Sequence, residues 1–241
     1  MRLAASTWPE VESYLKNKNA FILPIGSTEQ HGPTGPIGTD YLCADAVARA
    51  AGEKLKMLVA PPLCYGVASH HMGFSGSVTI KPSVYQALLV ELLHGAYRQG
   101  FRRFYLVNGH GGNDPSIHAA FQELKHLGTE GASFELLNWW KLPEVAAFAR
   151  ETFGNEEGSH ATPTEVSLAF HLEQISPRAY QKVPEGPPFA WPLSAAEMRR
   201  AFPTGTIRSN PGLATPEFGK QVLEIASSAV VRAIENASFL D

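Results

Sequence analysis

Cysteine is scarce in this chain, with only two among 241 residues. Cys43 and Cys64 cannot form a disulfide framework in a chain of this size, and they lack the C-x-x-C spacing typical of a structural zinc site. They are therefore predicted to be small buried residues in a reducing compartment. We expect the protein to be cytoplasmic.

The chain also lacks an excess of positive charge and any long apolar run. Twenty Lys and Arg stand against twenty-three Asp and Glu, which gives a net charge of -3. No basic surface is therefore available to neutralise a phosphate backbone, and nucleic acid is not an expected partner. No uninterrupted apolar run approaches the ~18 residues of a membrane span, and the first residues do not resemble an export signal. We expect neither membrane insertion nor export.

What the chain does have is material for a large core. Hydrophobic residues make up 44% of it and charged residues 18%, a composition that excludes intrinsic disorder. At about 150 residues per domain, the length favours one large domain over two. The Pro-rich stretch from Val183 to Pro192 is predicted to be a surface loop, because too little chain follows it to form a second core. Residues 1–241 are thus expected to be a single domain.

Strand-like and helix-like segments alternate along the first 140 residues. Four short apolar runs predict buried strands, at 21–25, 57–60, 103–107 and 133–137. Helical periodicity lies between them, at 40–55, 83–98 and 114–127, the last with Asp114 predicted as its cap and Pro115 as its first residue. After residue 140 the pattern is helical, at 142–152, 163–172, 194–201 and 216–237. This order is typical of an α/β fold with a mostly parallel sheet covered by helices on both faces.

The loop after the first strand carries one histidine and two carboxylates. Glu29 and His31 are two residues apart, so in an extended segment their side chains point the same way. The Gly-Pro loop can bring Asp40 close to them, and the three side chains would then form a binding site for a divalent cation. The alternative is a polar loop whose acidic residues cap the next helix, and spacing alone does not decide between the two.

The loop after the third strand reads N-G-H-G-G-N from Asn108 to Asn113. Glycine-rich turns before a helix often bind phosphate, but this loop lacks the Lys and Ser/Thr of a P-loop and the spacing of a dinucleotide site. Ligands of open parallel sheets bind outside the carboxyl ends of the strands, where Glu29, His31 and His110 all fall. This position favours a catalytic or metal-binding role for His110 over phosphate binding by the loop.

A third cluster comprises His160 and the segment Thr162 to Glu165. T-P-T-E is the pattern of a capping box with Pro at the first helical position, which would give Glu165 a purely local role. From the residue types alone the cap is the favoured interpretation.

Taken together, these segments resemble the creatininase (creatinine amidohydrolase) family. Six motifs carry the resemblance in order: P-I-G-S-T-E-Q-H-G-P at 24–33, T-D at 39–40, H-M-G-F-S-G-S at 71–77, N-G-H-G-G-N at 108–113, H-A at 160–161 with Glu165, and N-P-G-L-A-T-P-E-F-G at 210–219. The resemblance implies a three-layer α/β/α sandwich that holds two divalent metal ions per chain, Zn, Mn or Fe. It implies cleavage of a C–N bond in a cyclic amide or formamide, with a hydroxide shared by the two ions as nucleophile.

The resemblance also implies roles for individual residues. Asp40 would bridge the two ions, with Glu29 and His110 completing one site and His31 and Glu165 the other. Under this interpretation Glu165 is a ligand and more than a cap. Mixed nitrogen and oxygen donors suit Zn, Mn or Fe without choosing among them.

Gly112 departs from creatininase itself, which has a carboxylate at that place of the motif, so the second site depends on Glu165. His160 is the expected proton donor to the departing nitrogen, and the backbone amides of Gly111 and Gly112 are expected to assist the oxyanion.

His71, Trp139 and Trp140 are further candidates for binding a small-molecule substrate. The alternatives are a peptidase of a peptide-derived cofactor pathway and a metal-binding subunit without turnover. The resemblance further implies a homo-oligomer, commonly a hexamer.

Overall fold

The computed structural model describes residues 1–186 and 190–237. Its four strands are β1 (Ala20–Ile25), β2 (Leu58–Val59), β3 (Arg103–Asn108) and β4 (Ser133–Asn138). The helices are α1 (Trp8–Leu15), α2 (Thr39–Leu55), α3 (Pro82–Arg98), α4 (Asp114–His126), α5 (Pro143–Phe153), α6 (Pro163–Glu173), α7 (Ala195–Ala201) and α8 (Pro216–Asn236).

The strands form one sheet in the order β2-β1-β3-β4, and every neighbouring pair is parallel. β1 is fully buried along its length, which explains why its sequence is continuously apolar and does not alternate. Each predicted strand is present, although β2 is reduced to two residues. The predicted α/β fold with a mostly parallel sheet is confirmed.

Two hydrophobic clusters cover opposite faces of this sheet and create the three layers. Phe104 and Leu106 of β3 belong to the cluster that includes residues of α3 and α4. Tyr105 and Val107 alternate with them and belong to the cluster that includes α2, α6 and α8. Because successive side chains of a strand point to opposite faces, one strand contributes to both cores.

Two local features differ from the sequence prediction. Helix α1 was not anticipated, and it is stabilised by a capping box between Thr7 and Glu10. Asp114 is not a cap: α4 begins at this residue, and its carboxylate accepts hydrogen bonds from the side chains of Asn108, Asn138 and Lys141. This carboxylate therefore ties the ends of β3 and β4 together.

The remaining predictions concern loops and cysteines. The described part of the stretch from Val183 to Pro192 contains no helix or strand, and residues 187–189 lie outside the described residues. Cys43 is buried and Cys64 half-buried, both as free thiols. Among the described residues, no helix has the length and hydropathy needed to cross a membrane.

Candidate metal centre

Four of the candidate ligands converge at the carboxyl edge of the sheet. Glu29 and His31 follow β1, His110 follows β3, and Asp40 is the second residue of α2. Because β1 and β3 are parallel neighbours, their ends meet at one edge. The approach is close enough that a Cβ at Gly109 would lie 2.2 Å from the backbone oxygen of Asp40.

The fifth candidate ligand and the candidate proton donor arrive from the far half of the chain. Glu165 lies in the first turn of α6, and His160 lies in the loop before it. Helix α6 packs against α2 and α8. This packing brings Glu165 to the carboxylate at the start of α2, a proximity that the sequence separation does not suggest.

The side chains form two overlapping groups that share Asp40. In one group His110 Nδ1 lies 3.2 Å from Glu29 Oε2 and 3.3 Å from Asp40 Oδ2. In the other, His31 Nε2 lies 3.0 Å from Asp40 Oδ1 and 4.0 Å from Glu165 Oε2. Within each group one donor atom per residue lies within 4.8 Å of the others, a spacing compatible with a common cation.

Both imidazoles are turned so that one nitrogen faces the carboxylates. His31 Nδ1 lies 3.2 Å from the backbone oxygen of Glu29, and His110 Nε2 lies 2.9 Å from that of Val67. A donor N–H at these positions leaves the lone pair of the other nitrogen directed inward. Ligating histidines are commonly oriented by such hydrogen bonds.

Several polar atoms of the cluster are buried without a hydrogen bond. They are both carboxylate oxygens of Glu29, Nε2 of His31 and Oδ2 of Asp40. Buried polar atoms normally have partners, and leaving them without one costs free energy. Two divalent cations, one in each group, would satisfy these atoms, so the residues present fit the ions that the resemblance implies.

Glu165 combines the two roles that the sequence left in competition. Its Oε1 accepts a hydrogen bond of 2.6 Å from the backbone N–H of Thr162, and its own N–H donates to Thr162 Oγ1. Its Oε2 is the oxygen directed towards His31. One carboxylate thus closes the capping box and still offers an oxygen to the cluster.

The charges of the cluster shift the protonation of its members. Burial lowers the pKa of His31, but the negative charges of Asp40, Glu165 and Glu29 together outweigh it and raise that pKa to about 10. Burial acts likewise on His110, where the charge of Glu29 raises the pKa well above its ordinary value. Burial raises the pKa of Glu165 to about 7. Without a cation, protons on the two imidazoles provide the charge that offsets the carboxylates.

His160 and His71 form a second layer around Glu29. His160 Nδ1 lies 3.8 Å and His71 Nε2 3.2 Å from Glu29 Oε1, and the two rings stack with centroids 4.3 Å apart. The amide nitrogen of Gln30 lies 2.9 Å from both rings. Burial and the nearby charge of His31 lower the pKa of His160 to about 3, so its ring is neutral. His160 also lies close enough to Glu29 and His31 to form a third candidate metal group.

Gln30 was missed by sequence reasoning, although it stands between Glu29 and His31 in the motif. Its side chain is buried, and its amide oxygen accepts a hydrogen bond from Gly32. The available signal was its position: in an extended segment the residue between two ligands points away from them, towards the surrounding shell.

A cavity of about 560 Å³ opens onto this cluster. Its lining includes Asp40, Glu165, Gly111 and Trp140. Trp139 does not line it, because that side chain is 1% exposed and belongs to the hydrophobic core. The two adjacent tryptophans, both candidates for substrate binding, therefore lie in different environments.

Gly112 is constrained by its surroundings. A Cβ there would lie 2.3 Å from His110 Nε2 and 2.4 Å from the backbone oxygen of Val67. A side chain at this position would displace the hydrogen bond that orients His110. The chain therefore has no room for a carboxylate at residue 112. Glu165 is the acidic side chain that completes the group formed with His31 and Asp40.

The creatininase family model, described as creatinine amidohydrolase, matches residues 4–234. The solved structure of "Creatininase Mn" superimposes with a TM-score of 0.82 at 26% identity and covers 97% of both chains.

Curated relatives include proteins with different activities. The mycofactocin precursor peptide peptidase of Mycobacterium ulcerans is 31% identical over 176 residues, which cover 69% of this chain and 60% of the relative. The 3-dehydro-scyllo-inosose hydrolase of Thermotoga maritima is 30% identical over 167 residues, which cover 69% of this chain and 53% of the relative. The matches thus span little more than half the length of these two proteins.

Proposed function

The chain belongs to the creatininase family, and on this basis we propose that it is an amidohydrolase dependent on two divalent ions. The proposed reaction is hydrolysis of a C–N bond, other than a peptide bond, in a cyclic amide or formamide. Zn, Mn and Fe all suit the mixed nitrogen and oxygen donors.

The observation that carries this proposal is the pair of overlapping groups around Asp40. Glu29, Asp40 and His110 would hold one ion, and His31, Asp40 and Glu165 the other. Asp40 can serve both because Oδ1 faces His31 and Oδ2 faces His110. A merely structural polar cluster would be expected to satisfy its own buried oxygens, which Glu29 and Asp40 do not.

Two divalent ions held there would lower the pKa of a water molecule and polarise the carbonyl group of the substrate. His160 would carry a proton to the departing nitrogen. Its Nε2 is engaged with Gln30, at 2.9 Å from the backbone oxygen, which leaves Nδ1 on the side of Glu29. A neutral imidazole can take up a proton during attack and release it to the leaving group. The amides of Gly111 and Gly112 would assist the oxyanion.

A peptidase acting on short peptides is the second candidate. It is favoured by the similarity to the mycofactocin precursor peptide peptidase. Both candidates need the same ligands and the same proton carrier, so they differ in the substrate that fits the cavity.

The test combines metal analysis with a substrate screen. Protein reconstituted with Zn or Mn is assayed for bound metal, then for hydrolysis of lactams, formamides and short peptides by direct product detection. We expect about two ions per chain, and loss of turnover on chelation. Glu29→Gln should lose metal and activity, whereas Glu53→Gln, which removes an exposed glutamate of α2, should lose neither.

Absence of bound metal after reconstitution would refute the proposal. Full metal with no turnover of any of the three substrate classes would favour a metal-binding subunit instead. Turnover of short peptides alone would favour the peptidase.

A homo-oligomer, specifically a hexamer, and a cytoplasmic location also remain proposals. Sedimentation velocity of the purified protein tests the first, and fractionation of cells that express it tests the second.

A further inference from the structure

A second cavity lies beside the one already described. It has a volume of about 640 Å³, against about 560 Å³ for the first, and both are lined by His110, Gly111, Ser159 and His160. Either volume alone is in the range of ~300–1000 Å³ typical of ligand pockets. The site is therefore larger than a single small ring requires, and both cavities border the proposed metal centre.

The first cavity contains a cation without a partner. Lys141 lies 3.2 Å from Asp114, and Glu157 accepts a hydrogen bond from Thr164. Arg150 lines the same cavity, and its guanidinium has no ion pair or hydrogen bond with any described residue. Its guanidinium is thus available to a ligand, and its planar fork of donors matches a carboxylate.

The second cavity is apolar in character. Among the described residues that line it there is no Asp, Glu, Lys or Arg, and its wall includes Pro82, Trp191 and Leu193. Trp191 is 57% exposed, and its ring stands perpendicular to that of His70 at a centroid distance of 5.2 Å. An exposed indole at the wall of a cavity is a feature of ligand contact, because tryptophan offers a large, rigid apolar face.

The arginine in the first cavity and the apolar wall of the second indicate how a substrate lies in the site. Resting on the proposed hydrolase function, but with an open-chain substrate in place of the cyclic amide or formamide, we propose that the substrate is a linear amide that spans both cavities. A carboxylate at one end is bound by Arg150, and an apolar or aromatic group at the other end contacts Trp191 and Leu193. Hydrolysis breaks the C–N bond, adds hydroxyl to the acyl carbon and hydrogen to the nitrogen, and needs water alone as co-reactant.

A non-hydrolysable probe separates binding from turnover. Benzoylpropanoate is the analogue of N-benzoylglycine in which a methylene replaces the amide N–H, so it has both ends but no bond to cleave. Its primary carboxamide lacks the carboxylate, and levulinate has a methyl group in place of the phenyl ring. Dissociation constants for the three probes are measured by calorimetry on the metal-reconstituted full chain.

We expect benzoylpropanoate to bind about tenfold more tightly than either of the other probes. Arg150→Met should weaken benzoylpropanoate about tenfold and leave the carboxamide unchanged. Trp191→Ala should weaken benzoylpropanoate and leave levulinate unchanged. Arg98→Met, an exposed arginine of α3 that lines neither cavity, is the matched control and should change nothing.

The proposal is overturned if benzoylpropanoate binds no more tightly than its carboxamide and levulinate, or if Arg150→Met behaves like Arg98→Met. The proposed hydrolase function is judged separately, by the metal content and by the substrate screen with N-benzoylglycine added to it. Turnover of lactams with no preference among the probes would reject only the spanning substrate. The expected preference without turnover of any amide would reject only the hydrolase.

Discussion

Replacement of Asp40 by asparagine tests the centre of the proposed site most directly. The amide keeps the size of the carboxylate but removes its charge. Asp40 is 3% exposed, lies 3.0 Å from His31 and 3.3 Å from His110, and is the residue common to both metal groups. We therefore expect Asp40→Asn to impair both metal sites, whereas His31→Ala should impair one.

In the metal-free chain, the loss of stability in Asp40→Asn follows from the pair between Asp40 and His31. At 3.0 Å and an effective dielectric constant of about 20, two opposite unit charges attract by about 5.5 kcal/mol. Part of this attraction is offset by the cost of burying the pair. Breaking a buried pair by changing one partner typically costs about 3–5 kcal/mol. Asp40→Asn should lower the free energy of unfolding of the chelated protein by that amount.

Two assays check these numbers. Elemental analysis after reconstitution gives the ions per chain, and denaturant unfolding in the presence of chelator gives the stability. Asp45→Asn is the matched control, because this aspartate lies on the same helix and pairs with the exposed Arg49. Equal metal loss in Asp40→Asn and His31→Ala would refute the bridging role. A chelated Asp40→Asn protein as stable as Asp45→Asn would refute the electrostatic argument.

Three further predictions concern its neighbours. Glu165→Gln should lower metal content and activity together. Thr162→Ala should lose only the helix cap, which costs about 0.5–2 kcal/mol of stability, and should retain its metal. Full metal content in Glu165→Gln would mean that Glu165 is only a cap. His160→Ala should keep both ions and lose about 10²–10⁴ in kcat. Loss of metal in this variant would make His160 a ligand instead. Because the pKa of His31 is raised to about 10 without a cation, zinc binding near neutral pH should release a proton and tighten as the pH rises. Calorimetry in buffers of different ionisation enthalpy measures that proton, and a pH-independent affinity would contradict the assignment.

Much of the fold was accessible from local pattern. The continuous apolar runs that became β1 and β3 predicted buried parallel strands, because strands covered on both faces have no polar side to alternate with. The positions of Glu29 and His110 after those strands then placed them at one edge. Helix α1 was missed, since it is only eight residues long and contributes no buried residue.

The interpretation of Glu165 shows the limit of local pattern. A pattern of four residues is enough to predict a capping box, and this capping box is present in the structure. The same residues do not reveal that the second carboxylate oxygen faces His31, more than a hundred positions earlier in the chain. That contact depends on α6 packing against α2, which the sequence does not show. The role of Glu165 as a ligand was therefore predicted only from the resemblance to a family.

The sequence by itself determined which residue types are available and where each lies relative to a strand end, because strands and turns follow from neighbours along the chain. Only the tertiary structure decided which of them face one another. It buried Trp139 in the core and put Trp140 at the cavity, although they are adjacent, because consecutive side chains point in different directions. It also brought Arg150 and Trp191 to the two cavities beside His160, since side chains from distant segments meet only when helices and loops pack around the sheet.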